Sequence, residues 1–377
     1  MRETIDIIRQ WIGRQWTVCK PWALRQWMRL KPWLRREWMR LKALSIRLWH
    51  LWTDRDNRWL SFPCTVAALL VLLVLVKCCQ GVAYNFTREC KIYKLGYPID
   101  EARSLAAVLD DQQADSLIAR NVHDTIAYPI INERYFIAAN FDRYLAYHRA
   151  DTTGTPVGDI VAVVNVGLDR DPQVSAVQCD TSKGQLMLIN RYHYLDEKYK
   201  PGKLEEFKKS YCYENQKALP EVVDAFMAMQ QDCKQQTGAQ LMVNSSYRNY
   251  KQQIATHKRS DKGYAARAGF SEHQTGLALD VTSLQHPMRW PFDKSAECAW
   301  MHEHCHEYGF ILRYPKRQSR IMGYKYEPWH LRYVGIEAAK RIHDEGITFD
   351  EYYAYYIERE KEEPESPEII ENRPRRP

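Results

Sequence analysis

SEHQTGLALDV, residues 271–281, decides the reading of this chain. Its second half, LALDV, alternates apolar side chains, which marks a strand, and places Asp280 near the strand's end. Gly276, three residues after His273, lets the chain turn so that imidazole and carboxylate converge on one point. About fifty residues on, YEPWHLRYVG (residues 326–335) supplies Glu327 and His330. Pro328 between them argues against a helical HExxH arrangement, so this ExxH belongs on a strand or a bend. His273, His330 and Asp280 make three protein ligands for one zinc ion, with a fourth position open to water. Glu327 is placed to take that water's proton. The combination describes a metallohydrolase, since a structural zinc site is closed by four protein ligands.

A third segment, NSSYRNYKQQ (residues 244–253), carries Arg248 after the apolar strand QLMV. A guanidinium fork is a natural partner for a substrate carboxylate, and an exopeptidase that removes a C-terminal residue needs such an anchor. Together, SxYRxxxxQ, SxHxxGxAxD, YGFxxRYP and GYxxEPWHxRYVG resemble the VanY-type zinc D-alanyl-D-alanine carboxypeptidases and the related LD-carboxypeptidases of peptidoglycan. The match covers roughly residues 186–352. This resemblance implies one zinc ion on His273, Asp280 and His330, with Glu327 as general base. It implies that Arg248 and Ser271 bind the terminal carboxylate and that Gln253 lines the substrate pocket. The implied fold is α+β, a small antiparallel sheet flanked by helices. The implied substrate is the C-terminal D-Ala of a peptidoglycan stem peptide. The other readings are an LD-carboxypeptidase or endopeptidase on the same peptides, and a non-catalytic wall-binding module.

Ahead of this region the composition changes sharply. Residues 1–60 hold fourteen Lys/Arg against five Asp/Glu, so the chain's net charge of +7 resides wholly at this end. Nine of the twelve tryptophans lie there too, in an eleven-residue repeat: Trp11, Trp22, Trp33 and Trp16, Trp27, Trp38. Eleven residues are close to three helical turns, so the repeat keeps Trp and Leu beside a basic arc, with Pro21 and Pro32 breaking it into short helices. That arrangement suits the headgroup layer of an anionic inner leaflet, and no nucleic-acid partner is expected. Residues 59–76 form an eighteen-residue run without a charge, bracketed by Arg58 and Lys77. It reaches spanning length and reads as a single transmembrane helix over 59–77. The positive-inside rule puts the 1–58 arm in the cytoplasm of a bacterial cell and the catalytic part outside. A cleaved leader is the competing reading, on Gly81-Val82-Ala83, but 58 residues is far longer than a normal n-region.

The remaining organisation is an extracytoplasmic mixed α/β region over 84–185, a catalytic domain over 186–352 and a Pro-rich disordered tail over 364–377. Within these the patterns predict a helix over 99–119 and another starting at Asn140-Phe141. They predict strands over 159–168 (DIVAVVNVGL) and 186–195 (LMLINRYHYL), then helix over 204–236. Cys90, Cys179, Cys212, Cys233, Cys298 and Cys305 fall in the outer part, where an even count permits disulfides. His302, His304 and His306 sit on a helical pattern with divergent faces and do not read as a second metal site. Arg313 and Arg332 read as ion-paired structural residues.

Overall fold

The computed structural model describes residues 88–260, 265–316 and 318–358, together with Arg36, Met39, Arg40 and Ala43. The expected membrane span, the tail and nearly all of the basic arm lie outside the described residues. No described helix is long and apolar enough to cross a membrane. The chain divides into two compact units, Met1–His123 and Asp124–Pro377.

In the first unit the expected helix is two helices, α1 (Ile99–Val108) and α2 (Asp111–Ala119). Asp110 explains the break. Its side chain accepts from the Gln113 N–H while the Gln113 side chain accepts from the Asp110 N–H, a reciprocal cap that starts a new helix where the first stops.

In the second unit α3 (Phe141–Ala150) starts where the sequence indicates. The next segment corrects the sequence reading: DIVAVVNVGL is helical, forming α4 (Val157–Asn165). Residues Ile160–Asn165 are all buried, and an unbroken apolar run has no period by which strand and helix can be told apart. Its end is tied down by polar contacts. The Asn165 amide donates to the Tyr135 carbonyl at 2.8 Å, and the Arg143 guanidinium donates to the Val164 carbonyl at 2.8 Å. LMLINRYHYL is likewise not a full strand. Only His193–Tyr194 pair, in parallel with Val177–Gln178. The Asn190 side chain accepts from the backbone N–H of Tyr192 at 2.8 Å and of His193 at 2.9 Å, bending the chain in mid-segment. Of the helix expected over 204–236, the first part is a short hairpin, Glu205–Glu206 against Lys217–Ala218. Helix α5 (Pro220–Thr237) begins only at Pro220, a residue suited to the first helical turn.

The core is a four-stranded antiparallel sheet of β1 (Leu241–Ser245), β2 (Ala278–Ser283), β3 (Phe310–Leu312) and β4 (His330–Tyr333), in spatial order β1-β2-β4-β3. Alternation divides its faces. Leu279, Val281 and Leu331 join Phe226, Met229, Cys233 and Met301 from α5 and α7 (Ala296–His304) in one apolar cluster. Asp280, His330 and Arg332 occupy the alternate positions, so they share the opposite face with the polar site described below. Helix α6 (Tyr250–Arg259) follows β1, and α8 (Ile336–Glu345) follows β4.

Cys179, Cys212, Cys233, Cys298 and Cys305 are buried free thiols, so they do not form the disulfides that their even-numbered set permits. Burial pushes Cys298 and Cys305 up to about 12, which makes them small hydrophobes rather than reactive groups.

Gly276 turns with φ +73° after a short 3-10 helix, Glu272–Thr275, and lies against Leu204 and Leu219. A Cβ there would stand 3.1 Å from Leu204 Cδ2, on a backbone that L residues disfavour by about 1–2 kcal/mol. Gly276→Ala is therefore expected to lower unfolding stability by at least that amount in urea titration. An unchanged midpoint would show that the turn relaxes freely.

Candidate metal centre

Register brings the first ligands together. Antiparallel pairing sets Asp280 of β2 opposite His330 of β4, and β1 places Ser245 on the other side of Asp280. His273 arrives from the 3-10 turn between Gly269 and Gly276, both at positive φ. Its Nδ1 lies 2.6 Å from the Ser246 carbonyl and donates to it, leaving Nε2 to face Asp280 Oδ1 at 3.5 Å. His330 is turned the other way. Its Nδ1 lies 3.1 Å from Asp280 Oδ1, and its Nε2 is 3.3 Å from Glu272 Oε2. His273, Asp280 and His330 are buried, and their donor atoms lie within 4.8 Å of one another.

These distances fit a single tetrahedral ion. Zinc bonds of about 2.0–2.2 Å hold neighbouring donors roughly 3.3 Å apart, which matches the 3.1 and 3.5 Å separations from Asp280 Oδ1. The outer partners fit as well. Each imidazole offers one nitrogen inward and anchors the other, on a carbonyl for His273 and on a carboxylate for His330. The centre takes one zinc ion. Among the described residues no second cluster of this kind occurs, His302, His304 and His306 included.

The electrostatics prepare the donors unequally. Burial, aided by the Arg248 cation, lowers His273 to about 4, so it is neutral and ready to ligate. Burial alone would lower His330 too, but its hydrogen bonds to Asp280 and Glu272 outweigh that and lift it to about 9. The imidazolium thus stands between two carboxylates where the ion belongs. Below pH 9 each ion bound must displace this proton. Zinc affinity is therefore expected to climb with pH from 6 to 9, by up to about tenfold per unit, and to level off above. Chelator competition reads this directly, and a flat profile would show that His330 is already unprotonated.

Glu327 sits in the turn before β4, its Oε2 3.9 Å from His330 Nδ1, and burial pushes it up to about 7. Arg248, Ser271 and Glu327 border the same cavity as the three ligands, a narrow space of about 60 Å³. Gln253 does not border it. Its carbonyl oxygen accepts from Arg248 Nε at 2.9 Å and its amide donates to the Ala266 carbonyl at 2.8 Å, so it aims Arg248 from behind.

Two residues that the sequence did not mark belong here. Glu272 is buried beneath His330 and receives Arg313 at 2.8 Å and Arg332 at 2.9 Å. Burial would raise its pKa, but the two guanidiniums hold it well below the usual carboxylate range. Its only sequence signal was adjacency to His273. Arg289 lies over the Trp329 ring at 4.7 Å with its guanidinium 3.5 Å from Asp280 Oδ2, and its own segment, HPMRW, carries no pattern that marks it. Arg313 and Arg332 are ion-paired, as their sequence reading has it.

The family profile for VanY, D-alanyl-D-alanine carboxypeptidase, matches residues 215–336, which contain the three ligands, Glu327, Arg248 and Glu272. The D-alanyl-D-alanine carboxypeptidase of Enterococcus faecalis (strain ATCC 700802 / V583) is 31% identical over 191 residues, 46% of this chain and 68% of that protein. The chain belongs to the VanY family. The Bacillus subtilis (strain 168) protein YodJ is 36% identical over 182 residues, 45% of this VanY-family chain. The chain spans 66% of YodJ's length, just under two thirds. A solved structure titled as the LdcB LD-carboxypeptidase is 33% identical, covers 48% of this chain and 90% of its own, and superposes with a TM-score of 0.44.

Proposed function

We propose that this chain is a membrane-anchored zinc carboxypeptidase that hydrolyses the C-terminal D-Ala of peptidoglycan stem peptides. One observation carries the reading: a carboxylate base, Glu327, and a carboxylate anchor, Arg248, border one narrow cavity with a three-donor zinc site. When bound, zinc supplies a Lewis acid and lowers the pKa of its water toward about 7. Glu327 takes the water's proton, for which its buried carboxylate is suited, and delivers it to the leaving amine. The Arg248 fork, held by Ser245 and Gln253, fixes the terminal carboxylate, and Ser271 closes the same wall. Arg289, half-exposed at Asp280, adds positive charge to the mouth. Arg248→Ala is expected to lower kcat/KM by roughly tenfold or more, the loss of a charge-assisted hydrogen bond pair, with zinc content unchanged.

The deciding experiment is alanine release by the zinc-loaded protein from a stem pentapeptide and, in parallel, a tetrapeptide. Release from the pentapeptide alone supports D-Ala-D-Ala cleavage, and release from the tetrapeptide supports the LD reading. Binding without release from either would make the chain a wall-binding module. The anchoring part of the proposal rests on the uncharged run at 59–76 and the basic Trp repeat before it. It places the N-terminus in the cytoplasm against anionic lipid and the catalytic unit outside. Vesicle binding by a peptide of residues 1–58 that ignores anionic lipid content would remove the lipid contact.

A further inference from the structure

A second cavity, of about 340 Å³, adjoins the metal cavity, with Ala265, Ala266 and Tyr324 forming a wall common to both. Two arginines face it and neither belongs to the metal site. Arg191 lies over the Tyr324 ring at 5.0 Å, and Arg267 lies over the Phe270 ring at 4.5 Å. Stacking on an aromatic face holds a guanidinium plane while leaving its N–H fork open. Both side chains are exposed, and neither has a carboxylate or hydrogen-bond partner among the described residues. Of the other arginines near the site, Arg313 and Arg332 pair with Glu272 and Arg289 with Asp280, while Arg248 lines the narrow metal cavity. Two guanidinium forks therefore border one cavity.

We infer that this cavity is a subsite for an acidic group of the peptide upstream of the scissile bond, read by Arg191 and Arg267. The inference rests on the carboxypeptidase reading above. A C-terminal exopeptidase has one small residue beyond the bond it cuts, and Arg248 in the narrow cavity already serves that residue's carboxylate. Whatever fills the larger adjoining space must come from the chain leading up to the bond. An acidic group there finds paired charge-assisted hydrogen bonds, while its carboxamide keeps one neutral acceptor and sets its NH2 against a guanidinium donor. Since both forks are solvent-accessible, the gain is in discrimination between charged and amidated peptides more than in raw affinity.

The test compares two peptides of equal length ending in D-Ala-D-Ala, one with free carboxylates on its upstream residues and one with the corresponding carboxamides. In the full zinc-loaded chain, Arg191→Gln combined with Arg267→Gln is expected to lower kcat/KM for the acidic peptide at least tenfold. The amidated peptide should stay within twofold, which also reports an intact fold. Kd values measured by calorimetry on a Glu327→Gln background should show the same selective loss. Equal effects on both peptides, or none on either, overturn the subsite. Wild-type protein that cleaves neither peptide overturns the carboxypeptidase reading instead, and the Kd comparison then decides the subsite alone. Failure to bind either peptide overturns both.

Discussion

Glu327→Gln is expected to leave one zinc per chain and to cut the proposed alanine release by about 10²–10⁴-fold, the usual contribution of a positioned general acid–base. The substitution is isosteric and spares the local backbone bonds, since the Glu327 N–H donates to the Tyr314 carbonyl at 3.1 Å and its own carbonyl accepts from His330 N–H at 3.2 Å. The side chain is not among the three clustered ligands, so the ion stays. What is lost is a carboxylate that burial has raised to about 7 and that can therefore hold a proton in passing. An amide cannot accept that proton. Metal analysis and turnover on one preparation separate the roles. A variant at near wild-type rate would strip Glu327 of its function, and one that loses zinc would make it a ligand.

Glu272→Gln should be the most damaging substitution to the fold around the site. The carboxylate is fully enclosed and joins two guanidiniums, Arg313 and Arg332, to the Nε2 of His330. Arg313 keeps Asp350 at 2.6 Å, and Arg332 keeps the carbonyls of Gln185 and Met187, but each loses a charge partner while still buried. Breaking a buried pair from one side costs about 3–5 kcal/mol. The same change removes the acceptor that fixes the His330 ring, which typically costs 10–100-fold in metal affinity. These effects are read separately. Urea unfolding of metal-free protein reports the first, and chelator competition at fixed pH reports the second. If metal-free stability and zinc affinity both stay at wild-type values, the buried carboxylate does not support the centre as argued.

LALDV was legible as a strand because Asp280 interrupts its apolar residues and gives the segment a phase, although both faces of Ala278–Ser283 are buried. DIVAVVNVGL was not legible, because a segment enclosed on all sides has no polar phase to reveal its period. LMLINRYHYL failed for a different reason, since the Asn190 side chain competes with strand pairing for its own neighbours' N–H groups. The hairpin before Pro220 was hidden by polar residues that suit helix and strand alike.

Sequence alone determined the donor chemistry: two imidazoles, an aspartate and a glutamate, each with the turn or proline that constrains its approach. Those choices are local, because residue type and nearby Gly or Pro dictate them. The tertiary structure decided which imidazole nitrogen faces inward, that Gln253 aims Arg248, and that Glu272 charges His330 from beneath. It also decided that five cysteines remain thiols in the core. Each of these depends on strand register and on the burial of charges brought together from distant positions. Coulomb and hydrogen-bond energies there follow distances of 3 Å that no spacing along the chain encodes.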